Sequence, residues 1–221
     1  MNKKLMSSAL VAAFISTFAY AGGPELPPAD VIPPMPTPIL PFLGVNYSYL
    51  KADGLANIAT DAGTVGQGGT PYLTNASIPD SFNGITFEGG FKYGQYFAAV
   101  FGYSYFFKET ITGNDTSYNP DQAVTLNTTP SMVYLDARGY LPLYNFDLIL
   151  SVGANVFDAG IQSLSTLIDS GAVDFRLGGG FDYYFTPNWG IQALYTWIPS
   201  HNTSNYNDLW TVTAGLYYMF S

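Results

Sequence analysis

The chain has 221 residues, of which only 10% are charged and 17% are aromatic. Soluble domains carry about 25% charged residues, so this composition excludes an ordinary water-exposed surface. With 7 basic and 16 acidic side chains the formal net charge is -9, which excludes nucleic acid as a partner because no basic surface could neutralise the phosphates.

The N-terminal segment, residues 1–21, has the pattern of a secretory signal peptide. Two lysines precede an apolar run from Leu5 to Phe18, and the last three residues fit a small-x-small cleavage site. The run is shorter than the roughly 20 residues that a membrane-spanning helix needs. We therefore expect this segment to be removed before Gly22.

Residues 22–41 form a proline-rich segment. Eight prolines fall between Pro24 and Pro41, a density that excludes helix and the interior of a sheet and favours an extended polyproline conformation. We interpret the segment as a stiff periplasmic tether. The alternative interpretation is a ligand for a partner or for the cell wall.

After residue 41 the chain alternates apolar and polar residues with a period of two, which predicts β-strands. No other segment is apolar for long enough to cross a membrane as a helix. Each predicted strand is long enough for a tilted membrane span. The eight strands are 42–51, 84–93, 96–107, 132–141, 146–156, 173–185, 189–198 and 209–220.

The connections between these strands alternate strictly between long and short. The long ones are 52–83, 108–131, 157–172 and 199–208, and the short ones are 94–95, 142–145 and 186–188. In an antiparallel meander all short turns and both termini then lie at one end, as in bacterial outer-membrane barrels, whose long loops face outside. We predict an all-β fold, an eight-stranded antiparallel up-and-down transmembrane β-barrel over residues 42–221.

A soluble eight-stranded barrel would use the same alternation with its apolar face inside. Three features favour the membrane barrel. Aromatic residues on the apolar face concentrate near both strand ends, as at two lipid interfaces, and glycines concentrate on the polar face, as in a crowded interior. The polar face also carries too few charges for a water-exposed exterior. The polar face is therefore predicted to be the interior.

The predicted interior face holds four acidic and three basic residues. They are Glu88, Asp136, Asp174, Asp182, Lys92, Arg138 and Arg176. Because an unpaired charge is costly away from water, each base is expected to contact at least one of these four carboxylates. With Tyr134, Tyr140 and Tyr184 they should fill a barrel of eight strands, leaving separate water pockets and no continuous channel.

The signal peptide, the eight alternating strands, the loop asymmetry and the aromatic last strand together resemble the small OmpA-like outer-membrane barrels. The resemblance covers residues 42–221 and implies an interior plugged by a charged network. It also implies that Tyr218 and Phe220 help the outer-membrane assembly machinery to recognise the last strand, although Ser221 follows Phe220 here. A shared fold does not by itself assign a function.

The sequence offers little for catalysis, and we expect no enzyme and no cofactor. A lipid-modifying enzyme would need a nucleophile or base at the membrane rim, and the only histidine, His201, with Ser204 nearby, matches this weakly. We interpret His201 as an exposed loop residue. Without cysteine, clustered histidine or a spaced acidic loop, no metal site is predicted.

The long loops are rich in acidic residues, which attract cations or cationic peptides, or which simply solvate the loops. In the third loop the apolar residues between Ile161 and Ile168 follow a helical period, typical of an interfacial helix, a partner-binding patch or a loop packed over the barrel mouth. The leading hypothesis is a structural or surface-interaction protein, held in outer-membrane lipids and acting through four long extracellular loops. A narrow pore for ions or small solutes is the alternative, and a rim-sited lipid-modifying enzyme is a third hypothesis.

Overall fold

The computed structural model describes residues 38–52, 73–77, 79–115, 122–160, 173–199 and 208–220. Eight of its strands close into a barrel. They are β1 (Ile39–Ala52), β3 (Ser81–Tyr93), β4 (Phe97–Phe106), β7 (Ser131–Leu143), β8 (Phe146–Asp158), β9 (Val173–Tyr184), β10 (Trp189–Ile198) and β11 (Leu209–Met219). The described residues contain no helix that is long and apolar enough to cross a membrane.

The barrel strands follow one another around the wall in chain order, and β1 closes the wall by pairing with both β3 and β11. Every pair is antiparallel. The predicted eight-stranded up-and-down barrel is therefore confirmed. We call the end with the short turns the turn end and the opposite end, with the long connections, the loop end.

The first barrel strand begins inside the segment that we assigned to the tether. Ile39 and Leu40 pair with β3, and the carbonyl oxygen of Pro41 accepts a hydrogen bond from the backbone N–H of Phe220 at 2.9 Å. Proline is tolerated at the start of a strand because it removes only one donor and keeps its carbonyl acceptor. The strand boundary therefore lies at residue 39 instead of residue 42.

Two of the long connections contain strands that the sequence analysis missed. These strands are β2 (Leu73–Ser77), β5 (Glu109–Asp115) and β6 (Gln122–Thr128), and they form a separate sheet in the order β2-β5-β6. Only two residues separate β5 from β4, and two separate β6 from β7, so this hairpin continues the β4 and β7 segments. The prediction of plain loops was wrong here, because these short segments are mostly polar and lack a clear apolar face.

The outward face of the barrel is apolar over its whole height. Leu135, Leu150 and Phe101 are more than half exposed in the middle of their strands. Exposed aromatic residues mark the turn end at Tyr93, Phe97, Phe185, Trp189 and Phe220, and the loop end at Tyr105, Phe107 and Trp197. An apolar band between two aromatic girdles is the surface of a barrel that spans a lipid bilayer.

Candidate functional site

The barrel interior holds all seven charged residues that we predicted to face inward. Glu88, Lys92, Asp136, Arg138, Asp174, Arg176 and Asp182 are each at most 7% exposed. They lie inside because, on each strand, they occupy the alternate positions that face the lumen, while the apolar residues at the positions between them face outward.

Arg138 joins several side chains of this interior by hydrogen bonds. Its guanidinium donates two hydrogen bonds to the Glu88 carboxylate, at 2.7 Å to Oε2 and 3.3 Å to Oε1. It also donates to Gln192 Oε1 at 3.0 Å, and the Tyr134 hydroxyl donates to Glu88 Oε2 at 3.0 Å. Two-pronged pairing of this kind is the strong form of a salt bridge, and here it links β3, β7 and β10 across the lumen.

Glycines make the room that this pair needs. Glu88 is paired in register with Gly44 on one side and with Gly102 on the other, and Gly102 is paired in turn with Tyr134. A Cβ atom at Gly102 would lie 2.1 Å from Tyr134 Cζ. The Tyr134 ring therefore crosses directly over Gly102 to reach Glu88.

Replacing Gly102 with alanine is expected to lower the free energy of unfolding by about 1 to 3 kcal/mol, because the new methyl group overpacks the interior and displaces Tyr134 from Glu88. Gly139→Ala is the matched control, since a Cβ there meets no atom closer than 4.0 Å. Urea unfolding of both variants in detergent micelles measures the difference. Equal stability of the two variants would contradict this packing.

Asp136 is shared between two arginines. Its Oδ1 lies 3.2 Å from Arg176 Nε, and its Oδ2 lies 3.9 Å from Arg138 Nη2. Arg176 reaches across Gly153, the residue that stands between Asp136 and Arg176 in the strand register. The Arg176 guanidinium also lies 3.8 Å from the centroid of the Tyr134 ring, a cation–π contact. The second arginine is therefore tied to the first through Asp136 and Tyr134.

Lys92 pairs with a carboxylate that we did not predict. Its Nζ lies 2.8 Å from Asp147 Oδ2, donates to the Tyr184 hydroxyl at 2.6 Å, and stands 4.1 Å from the centroid of the Tyr140 ring. The expected contact with one of the four named carboxylates is wrong for Lys92. β3 and β8 are not neighbours, so their meeting across the lumen cannot be inferred from strand spacing. Asp147 lies at an even spacing from Ser151 on the same strand and therefore faces inward with it, so the alternation of the sequence could have predicted its position.

The two remaining aspartates lie on β9 at opposite ends of the interior. Asp174, near the loop end, is paired in register with Asn155. Asp182, near the turn end, is paired in register with Asp147 and with Gln192, and it accepts a hydrogen bond from Gln192 Nε2 at 2.9 Å. The charged residues of the interior are therefore distributed along the length of the lumen, from the loop end to the turn end.

An apolar cluster closes the loop end of the interior, and the sequence analysis missed it. This loop-end plug consists of Leu50, Ala52, Phe82, Phe106, Ile111, Met132, Phe157, Ala159, Ile198 and Leu209, all buried. Leu126 of β6 packs against it, so the small sheet contributes to the closure. The sequence does contain a sign of this cluster, because its apolar residues occupy inward-facing positions of the strand alternation. Leu50, for example, is two residues from Ser48 and faces inward with it.

The rim around the plug is held by backbone and polar contacts. Thr128 Oγ1 donates to the Ala159 carbonyl at 2.6 Å, and the Phe106 N–H donates to the Pro130 carbonyl at 3.0 Å. At the surface of the rim Lys51 forms an ion pair with Asp80. The hydrogen bond from Lys51 lowers the pKa of the Asp80 carboxyl. This pair is exposed, unlike the pairs of the interior.

The end of the last strand lies in the turn-end aromatic girdle. The Tyr218 ring stands 4.9 Å from the Phe220 ring and 4.9 Å from the Trp189 ring, each pair in edge-to-face geometry. These contacts give the two residues a packing role in the folded barrel. Their recognition by the assembly machinery stays a prediction.

Several sequence-based predictions lie outside the described residues. They concern the signal peptide, the tether before residue 38, the apolar period of residues 161–168, and His201 with Ser204. Within the described ranges, no group of three or more histidine, aspartate or glutamate side chains is arranged to hold a metal ion.

No family model and no curated protein matches the sequence. Similar solved structures include Ail, the attachment invasion locus protein of Yersinia pestis, in complex with a heparin analogue, at 13% identity and a TM-score of 0.48 over 84% of this chain and 100% of that one. Neisserial surface protein A has 14% identity and a TM-score of 0.49 over 81% and 97% of the two chains. OprG from Pseudomonas aeruginosa has 12% identity and a TM-score of 0.49 over 83% of this chain and 97% of that one. Likeness of this degree carries no argument about function. By its own strand order, closure and apolar exterior, the chain is a small eight-stranded antiparallel transmembrane β-barrel.

Proposed function

We propose that this chain is an outer-membrane barrel with a closed interior, and that it has a structural or surface-interaction role through its loop end. The observation that carries the proposal is the filling of the lumen. A permeating ion would have to pass the ten buried side chains of the loop-end plug and then the Arg138–Glu88 pair. The same filling speaks against the alternative of a narrow pore.

The small sheet at the loop end supports a role in surface contact. Its hairpin continues the chain of two barrel strands, and Thr110, Thr112 and Thr125 on it are exposed. Polar side chains on a paired hairpin form a firmer surface than a loop without secondary structure, because the backbone hydrogen bonds hold them in place. This surface is the first region of the chain to test for a partner.

Purified protein is expected to give no unitary conductance steps in planar lipid bilayers at either polarity, because the plug and the ion pairs close the lumen. An open porin in the same apparatus is the positive control. Steady conductance steps from the unaltered chain would overturn the closed interior.

The surface role is tested by replacing residues 109–128 with a short glycine-containing turn. We expect reduced adhesion or reduced envelope integrity, while a heat-dependent gel shift reports that the barrel still closes. A matched variant that keeps the hairpin and replaces Thr110, Thr112 and Thr125 with alanine separates the surface chemistry from the hairpin fold. Adhesion and integrity that stay unchanged when each long connection is replaced singly would contradict the role.

The proposal also places the long connections outside the cell and the short turns and termini in the periplasm. Protease added to intact cells is then expected to cut only within 52–83, 108–131, 157–172 or 199–208. The plug makes the loop end compact, so cleavage in the hairpin should be slower than cleavage elsewhere in these ranges. External cleavage at Gly94 or Asn188 would reverse the orientation.

A further inference from the structure

We propose that one side of the loop end binds the sugar headgroup of a glycolipid in the outer leaflet of the membrane. The site is an aromatic surface on β10, β11 and β1, called here the aromatic shelf, which consists of Tyr49, Tyr195, Trp197 and Trp210. All four side chains point to the lipid-facing side of the wall, near the loop end of their strands. The proposal rests on the outer-membrane placement proposed above, because that placement turns the loop end toward the cell surface.

The strand register makes the shelf continuous. Trp210 of β11 is paired with Trp197 of β10 on one side and with Lys51 of β1 on the other. The Trp210 ring lies 5.7 Å from the Tyr49 ring and 6.1 Å from the Tyr195 ring, at interplanar angles of 48° and 33°. These three rings therefore lie side by side across three neighbouring strands, with Trp210 in the middle.

Polar groups border the shelf on the side away from the membrane centre. The indole N–H of Trp197 donates a hydrogen bond to Asp208 Oδ2 at 3.1 Å, which holds the orientation of that ring. Lys51, the register partner of Trp210, forms its ion pair with Asp80. The shelf therefore has a polar rim of two exposed carboxylates and one ammonium.

The chemistry of the shelf fits a sugar ring better than other headgroups. The C–H face of a sugar ring stacks on the electron-rich face of an aromatic ring, and its hydroxyl groups both donate and accept hydrogen bonds. A phosphate would meet two carboxylates and only one ammonium, which is already paired with Asp80. An amine would meet carboxylates that already accept from Lys51 and Trp197.

The turn-end aromatic girdle provides the contrast within the same chain. Its rings are packed in a similar way, because Tyr218 lies 4.9 Å from both Trp189 and Phe220. In the part of the turn end that the structure describes, however, no exposed side chain is charged. Aromatic rings alone are typical of any lipid interface, so the polar rim is what distinguishes the aromatic shelf.

The test measures which lipid collects beside the tryptophans of the folded full chain in vesicles of dioleoylphosphatidylcholine. Brominated acyl chains quench tryptophan fluorescence on contact, so part of the host lipid is replaced by brominated diglucosyl diacylglycerol or by brominated phosphatidylcholine. The variant Trp189→Phe keeps only the shelf tryptophans. We expect the glycolipid to quench this variant at a mole fraction about threefold to tenfold lower, the effect of one or two added stacking or hydrogen-bond contacts.

The double variant Trp197→Phe with Trp210→Phe is the matched control. It keeps only Trp189, which lies in an aromatic girdle without a charged rim, so the two brominated lipids should quench it equally. In the Trp189→Phe background, Asp80→Ala with Asp208→Ala removes the acceptors of the rim and keeps the shelf rings, and it should abolish most of the preference for the glycolipid. A heat-dependent gel shift reports that each variant still closes.

Three results would overturn the proposal. The first is equal quenching of the shelf tryptophans by both lipids, and the second is an equal preference for the glycolipid at the shelf and at Trp189. The third is stronger quenching by brominated phosphatidylethanolamine than by the glycolipid, which would assign the shelf to an amine headgroup. Maltose added in solution should leave the preference unchanged, and its reversal by maltose would indicate a site for soluble sugar instead. None of these measurements depends on conductance or on the hairpin, so a failure here leaves the proposed function standing.

Discussion

Arg138→Ala is expected to lower the free energy of unfolding by about 3 to 5 kcal/mol, the range for breaking a buried ion pair. The substitution leaves the Glu88 carboxylate buried without its ion partner, although the Tyr134 hydroxyl still donates to it, and it removes a donor from Gln192. Neither side chain can turn to water, because both lie inside a closed wall. Urea unfolding in detergent micelles or lipid vesicles measures the loss.

The exposed pair at the rim is the control for this prediction. Lys51→Ala removes the same type of contact from Asp80 at the surface, where an ion pair contributes about 1 kcal/mol or less. The double variant Arg138→Ala with Glu88→Gln should lose less than the sum of the two single losses, since the uncompensated carboxylate is then gone. A loss in Arg138→Ala no larger than that in Lys51→Ala would contradict the role of Arg138.

Phe82→Ala is expected to cost about 3 to 5 kcal/mol, because it opens a cavity inside the loop-end plug. Phe82 is fully buried, and all of the other plug residues except Ala159 lie on strands whose hydrogen bonds to both neighbours prevent them from collapsing into the space. The variant should still give no conductance steps, because the ion pairs below the plug remain.

Phe101→Ala provides the comparison for the plug variant. Phe101 is 57% exposed on the lipid-facing surface, so its truncation removes the same atoms without leaving an internal cavity. We expect a smaller loss, of about 1.5 to 3 kcal/mol, set by transfer of the ring alone. Equal losses in the two variants would show that the plug is not tightly packed.

Strand positions and their inside and outside faces could be predicted from the sequence because both depend on local pattern. A period of two assigns alternate residues to opposite faces, and Glu88 and Phe87 follow that rule whatever the rest of the chain does. Short turns force neighbouring strands to pair, which leaves an antiparallel meander as the simple topology. The scarcity of charge then assigns the apolar face to lipid.

The contacts inside the lumen could not be predicted, because they join strands that are not neighbours. Lys92 meets Asp147 only after eight strands have closed and the strand register has set their relative heights. Arg176 reaches Asp136 because Gly153 leaves the gap between them open, which depends on pairing on both sides of β8. The spacing of residues along the sequence gives neither the relative heights of the strands nor the pairing on both sides of β8.

The sequence by itself determined the class of the fold, the lipid-facing surface and which residues lie inside, because alternation and composition act locally along each strand. The tertiary structure alone decided the loop-end plug, the small sheet above it and the partners of each buried charge. Nine of the ten plug residues lie on seven barrel strands and on β5, and Ala159 directly follows β8, so their meeting depends on closure of the wall. Contacts across a closed lumen are set by strand register and by the size of the intervening side chains, and these act only once the whole barrel has formed.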